Sequence, residues 1–397
     1  MPNANLQISD IQAAVEDALR ETPFIDIHTH LFPPSFGRLG LWGIDELLTY
    51  HYLEAELFRF SRVRPEQYWT LAVPERADLI WKTLFVDNSP VSEATRGVIA
   101  VLGALGLETA APSLEPLRAF FRAQDPAAHV RRIFELAGVS EVVMTNDPLD
   151  PAEAPLWESG AAADAAFRPA LRLDRVLNEG AWTASDARTL LETWSRRMKP
   201  VYMAVSLPDS FTFPAQDTRT MLLRDAVLPV CRELGLPVSL MIGVRRGVNP
   251  ALRSAGDASG RADLRALEAL CGEFPENRFL VSVLSRENQH ELCVYARKFG
   301  NLLPFGCWWF MNNPSIVEEI TRERLEMLGT SFIPQHSDAR VLEQLIYKWR
   351  NTRRTVASVL TTAYQLLAQD GRTVTRDDIR RDVTALFRGN FERWCNR

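Results

Sequence analysis

The sequence predicts an α/β chain of the (β/α)8 TIM-type barrel class, with a helical insertion after strand 1 and further helices at the C-terminal end. Three observations carry this expectation. Eight short apolar runs recur along the chain, with helix-patterned segments between most of them, and eight is the number a closed parallel barrel needs. Most of the runs are continuously apolar rather than alternating, as strands buried on both faces are. No GxGxxG follows the first run and no GxxxxGKS/T occurs anywhere. The open doubly wound sheet, which alternates strands and helices in the same way, therefore lacks its nucleotide-binding signatures.

In chain order, Ser9 to Arg20 carries Ile11, Val15, Ala18 and Leu19 on one helical face, with Ser9 as the expected N-cap. Phe24 to His28 reads as strand one, introduced by Pro23 and ended, after His30, by Pro33-Pro34. Residues 36–137 read as a helical insertion rich in Trp and Phe. The other seven strand candidates run Glu141 to Thr145, Arg168 to Leu173, Val201 to Leu207, Pro237 to Ile242, Phe279 to Leu284, Leu303 to Trp309 and Thr330 to Gln335. Gly235, Gly272 and Gly329 stand where the helices between them should end. Tyr347 to Trp394 reads as two or three helices on the outside of the barrel. With no internal repeat and no long linker, residues 1–397 are expected to form a single domain.

At 46% hydrophobic and 24% charged residues, the 397-residue chain can bury a large core. Its net charge of -5 is mild and its basic residues are dispersed, which speaks against a nucleic-acid partner. Five widely spaced cysteines with no CxxC pair point to reduced thiols and a cytoplasmic protein. The stretch up to Glu21 has acids and no apolar core, so no signal peptide is expected. No apolar run approaches the roughly 20 residues of a membrane span. Homo-oligomerisation is left open.

Of six histidines, His28 and His30 stand two apart at the C-terminal exit of strand one. Residues i and i+2 of a strand project from one face, so both imidazoles can meet one ion. Barrel enzymes keep their chemistry at that end of the strands. The eighth candidate strand leads into Gln335-His336-Ser337-Asp338-Ala339-Arg340. Closure sets strand eight beside strand one, which brings Asp338 to the two histidines. Two neutral imidazoles and a carboxylate suit one divalent metal ion, Zn2+ before others. The plainer alternatives are a packed histidine pair, and Asp338 as N-cap of the helical run Val341 to Ile346. His336 would have to double back to reach the same ion and reads as a packed loop residue.

These residues also carry a resemblance. FIDIHTHLFPP, with an aspartate after the last strand, resembles the amidohydrolase superfamily, and the chain more specifically resembles its aldose–ketose isomerising branch, the uronate isomerases. DIHTHLFPP is similar to that family's DxHxHL-PP opening, and His51-Tyr52 to a His-Tyr pair in its first insertion. Met144 to Asp150, Arg172 to Asp174, Ser285 to Asn288, Gly306 to Phe310 and Ser337 to Arg340 resemble further family segments in the same order. The resemblance implies a sugar acid as substrate. It implies proton transfer by Asp338, His51 or Tyr52, unranked, and carboxylate binding by Arg172, Arg286 or Arg340. Trp308 is the implied flat wall for a sugar face. The chain departs from the pattern at Met241 to Gly247, which holds no histidine, at Ala339 in place of serine, and at Arg59, one position displaced. Ligands for a second ion are missing from strands four to six, which leaves a mononuclear site. A metal-dependent hydrolase or lyase of the same superfamily, acting on another carboxylate-bearing small molecule, is the alternative, and the missing histidine favours it.

Overall fold

The computed structural model of the chain describes residues 5–160 and 164–395. Seven of the described strands pair in parallel, in the order in which the chain makes them. They are β1 (Phe24–Thr29), β2 (Val139–Asn146), β3 (Phe167–Arg172), β4 (Met203–Pro208), β5 (Val238–Arg245), β6 (Phe279–Val283) and β7 (Leu302–Pro304). A two-residue strand, Ala258–Ser259, turns back antiparallel onto the end of β5. The strands are buried on both faces, as their unbroken apolar runs require; β5 is covered at every position but its last. Along it the side chains alternate between two layers. Met241 packs inside the barrel with Ile27, Ala204 and Leu280. Its neighbours Leu240 and Ile242 join the layer between strands and helices.

The eighth position of the barrel is filled without a regular strand. Ile333 makes one parallel bridge to Phe305, with Gly306 N–H donating to Ile333 O (2.9 Å) and Ile333 N–H to Pro304 O (3.0 Å). Pro334 then offers no N–H, which stops the ladder. The chain runs on past β1, where Asp338 N–H donates to His28 O (3.2 Å) and His30 N–H to Ala339 O (2.7 Å). The expected strand Thr330 to Gln335 is thus a single bridge and an irregular segment, and these two bonds close the barrel.

Helix α1 (Ile11–Glu21) precedes β1, and its N-cap is Asp10 without a side-chain cap bond, so Ser9 does not cap it. Between β1 and β2 the chain is largely helical, including α2 (His51–Phe60) and α3 (Pro126–Ala137). Gly329 ends α4 (Pro314–Leu328) at φ 60°, as its position predicts, whereas Gly272 lies inside the helix Arg265–Glu273 and ends nothing. After closure come α5 (Gln344–Gln369), Arg376–Thr384 and Asn390–Cys395, the first two packed on α1. Among the described residues no helix is long and apolar enough to cross a membrane.

Candidate active site

The two closing bonds lay the Asp338 loop along the end of β1, where His28 and His30 stand. Asp338 takes a left-handed backbone, φ 53°, uncommon for a residue with a side chain. Because α5 begins only at Gln344, Asp338 does not cap it. His28 Nε2 and His30 Nε2 lie 3.6 and 3.4 Å from Asp338 Oδ1. Neither contact is a hydrogen bond, and Oδ1 is buried with no hydrogen-bond partner. Two ligand atoms each about 2.1 Å from one tetrahedral ion stand about 3.4 Å apart. The spacing therefore fits a shared divalent cation. Among the described residues no other group of His, Cys, Asp and Glu donors converges in this way.

Both imidazoles turn a lone pair toward that point. Tyr202 O–H donates to Ile27 O (2.6 Å), leaving its oxygen to accept from His28 Nδ1 at the longer distance of 3.4 Å. Thr145 O–H donates to Thr29 O (3.0 Å), and its oxygen accepts from His30 Nδ1 (3.0 Å). With the proton on Nδ1, each Nε2 is an electron-pair donor. Burial holds His28 and His30 well below the ordinary imidazole pKa, so both are neutral at physiological pH.

Beside this centre lies a cavity lined by His51, Arg172, Arg246, Trp308, Trp309 and Arg340 among others. Arg172 is the last residue of β3 and is braced by Asp174 at 3.2 Å. Arg340 follows Asp338 by two residues, its backbone N–H donating to Gln344 Oε1 (2.8 Å). His51 opens α2, and its Nε2 accepts from Trp309 Nε1 (2.9 Å).

Not every residue singled out in the sequence arrives here. Tyr52 stands edge-on to His51 at 4.5 Å, with the Lys348 ammonium 5.5 Å from its ring centre and the Asp338 charge acting on its hydroxyl. Arg286 is not brought to the cavity. It opens a short turn after β6 and faces outward to Glu319 of α4, at 2.9 and 3.1 Å. His336 is fully buried, its ring 5.1 Å from that of His28, and neither of its nitrogens has a hydrogen-bond partner. It packs so closely on Gly306 that a Cβ there would fall 2.0 Å from its ring. Arg246 was missed. It stands in the wall, paired with Asp257 (2.6 Å) and 5.6 Å from the Trp309 ring centre. The only signal for it was the Arg245-Arg246 pair at the exit of strand five. Met241, the first residue of the segment that lacks the family's histidine, lines the cavity with a thioether.

No family model matches the sequence, and no curated protein matches it either. Solved structures do. A uronate isomerase from Thermotoga maritima shares the fold at 16% identity, covering 99% of this chain and 98% of its own, with a TM-score of 0.76. A glucuronate isomerase from Caulobacter crescentus does so at 15% identity over 98% and 94%, also with a TM-score of 0.76. The likeness to a uronate isomerase from Bacillus halodurans is of another order: 48% identity over 99% of this chain and 98% of that one, with a TM-score of 0.97. Nearly half of the residues are identical along the whole length and the backbone follows the same course, so the chain belongs to the uronate isomerase family.

Proposed function

We propose that the chain is a metal-dependent aldose–ketose isomerase interconverting hexuronates of the glucuronate and fructuronate type, with one divalent ion, Zn2+ first, on His28, His30 and Asp338. The observation that carries the reading is the convergence of these three donors beside three cavity arginines, in a chain 48% identical to a uronate isomerase. A cation held there supplies Lewis acidity toward a carbonyl or hydroxyl oxygen. Arg172 and Arg340 offer forked donors to the substrate carboxylate. The reaction moves a proton between C2 and C1 of the open-chain sugar through an enediolate, which calls for a base and for a donor to the carbonyl oxygen. Asp338 is the carboxylate placed to move that proton. His51, kept neutral by burial, lines the same cavity, and Tyr52 stands edge-on to its ring. Trp308 supplies a flat wall for the sugar.

The same reading makes residues 1–397 one domain, with 36–137 an insertion that delivers His51, working in the cytoplasm on a small molecule.

Elemental analysis of the purified protein should find about one equivalent of divalent metal, lost in both His28→Ala and Asp338→Asn. Metal-loaded protein given glucuronate should form a ketose of unchanged mass, followed by mass spectrometry and proton NMR. A product heavier by one water would identify a hydrolase instead, and metal that survives both substitutions would remove the site.

A further inference from the structure

Trp309 and His51 come from distant parts of the chain, one from the turn after β7 and the other from the start of α2. Their rings meet edge to face, with centroids 5.7 Å apart at 85°, and Trp309 Nε1 lies 2.9 Å from His51 Nε2. An indole N–H can only donate. His51 Nε2 is therefore the acceptor, and the proton of the neutral ring sits on Nδ1. That nitrogen has no protein partner among the described residues, and His51 lines the cavity. Nδ1–H is thus the group His51 turns to whatever enters.

The indole is itself held in place. Trp309 is 6% exposed and has a left-handed backbone, φ 47°, rare for so bulky a residue. Its ring is stacked on Phe310 (4.6 Å, 16°), with the Arg246 guanidinium 5.6 Å from the ring centre. Around His51, burial first and then the charges of Arg340, Lys348, His30 and Arg246 disfavour a second proton on the ring.

We propose that Trp309 is a positioning residue that fixes His51 as its Nδ1–H tautomer, so that His51 offers the substrate a neutral hydrogen-bond donor and keeps no lone pair with which to act as a base. The tautomer stands on the hydrogen bond alone; its catalytic consequence rests on the isomerase reading. There, His51 donates to the oxygen that gains charge as the carbon proton leaves, and another group takes that proton. A neutral imidazole suits the donor's task because it stabilises developing charge without giving up a proton in the ground state.

The test is nitrogen-15 NMR of the full-length, zinc-loaded protein labelled at histidine, with the His51 signals assigned by their loss in His51→Gln. The expected result is a protonated Nδ1 and an unprotonated Nε2 at His51. Trp309→Phe keeps the ring and removes the N–H. It should turn His51 into a mixture of tautomers and lower kcat about a hundredfold with little change in KM. An Nε2–H tautomer in the unaltered protein overturns the proposal, as does a Trp309→Phe protein with the Nδ1–H tautomer and kcat both retained. The two readings fail separately. The predicted tautomer in a protein inert on hexuronates sinks the isomerase reading alone, and an active isomerase with the opposite tautomer sinks this one alone.

Discussion

Arg172 ends a barrel strand and Arg286 follows one, yet only the first turns to the cavity. Arg172 is caught by Asp174 two residues on, at the strand's end, whereas Arg286 is drawn outward by Glu319. A guanidinium gives a carboxylate two parallel donors, and an ammonium gives it a point charge. Arg172→Lys is therefore expected to raise KM for a hexuronate about tenfold to a hundredfold and to change kcat less, because the carboxylate contact persists from ground state to transition state. Arg286→Ala, which loses an exposed ion pair, should leave both constants within about twofold. Steady-state kinetics of the two variants decides the matter, and equal effects would take the carboxylate away from Arg172. His28 and His30 were legible in the sequence because a two-residue spacing on a strand is a local rule. The partner of His51 was not, since Trp309 lies 258 positions away and no spacing rule joins them.

The insertion that brings His51 is fastened to the barrel through the interior. His129 of α3 and Glu343, just before α5, meet at 2.7 Å with both side chains fully buried. The second oxygen of Glu343 accepts the Gly43 N–H at 3.2 Å, and Trp42 and Phe121 flank the imidazole at 5.2 and 5.8 Å. Removing one member of a buried pair leaves the other without its partner in a dry site. His129→Ala should accordingly destabilise the fold by about 3–5 kcal/mol, read from urea denaturation. A loss under about 1 kcal/mol would mean that the insertion is held by its apolar contacts alone. The helical character of 36–137 was legible from apolar periodicity. Its attachment was not, because a lone histidine in a helix gives no sign of the glutamate that meets it.

Closure of the whole barrel converges on Asp26. It is fully buried, accepts the Ser337 N–H at 3.1 Å on Oδ1 and accepts Trp349 Nε1 at 2.8 Å on Oδ2. One carboxylate thus ties β1 to the closing loop and to α5. Burial pushes its pKa up from 3.8 to about 6, against the pull of the bonds from Ser337 and Trp349. A folded pKa above the unfolded one means that the fold favours the protonated carboxyl. Its contribution is fully present below about 3.8 and is lost as pH rises through about 6. A gap of about two units corresponds to about 3 kcal/mol. Asp26→Asn cannot titrate, so the stability of the unaltered protein relative to this variant should fall by about 2–3 kcal/mol between about pH 4 and pH 7. Urea titrations at the two pH values measure it, and a difference that does not move with pH would exclude Asp26 as the titrating group.

By itself, the sequence determined the barrel class, the places of six parallel strands and the start of a seventh that ends at Pro304 rather than Trp309, and the meeting of His28, His30 and Asp338. Each of these rests on short-range rules: continuous apolar runs, the two-residue period of a strand, and the adjacency of first and last strands that closure imposes. Only the tertiary structure decided that the eighth strand shrinks to one bridge at Ile333 before Pro334. It alone sent Arg172 inward and Arg286 outward, placed Arg246 in the wall, and set the proton of His51 on Nδ1. Every one of these depends on which distant side chain or backbone group arrives within hydrogen-bonding reach, and a chain of 45 Lys and Arg residues and 50 Asp and Glu residues holds too many equivalent partners for local pattern to choose among them.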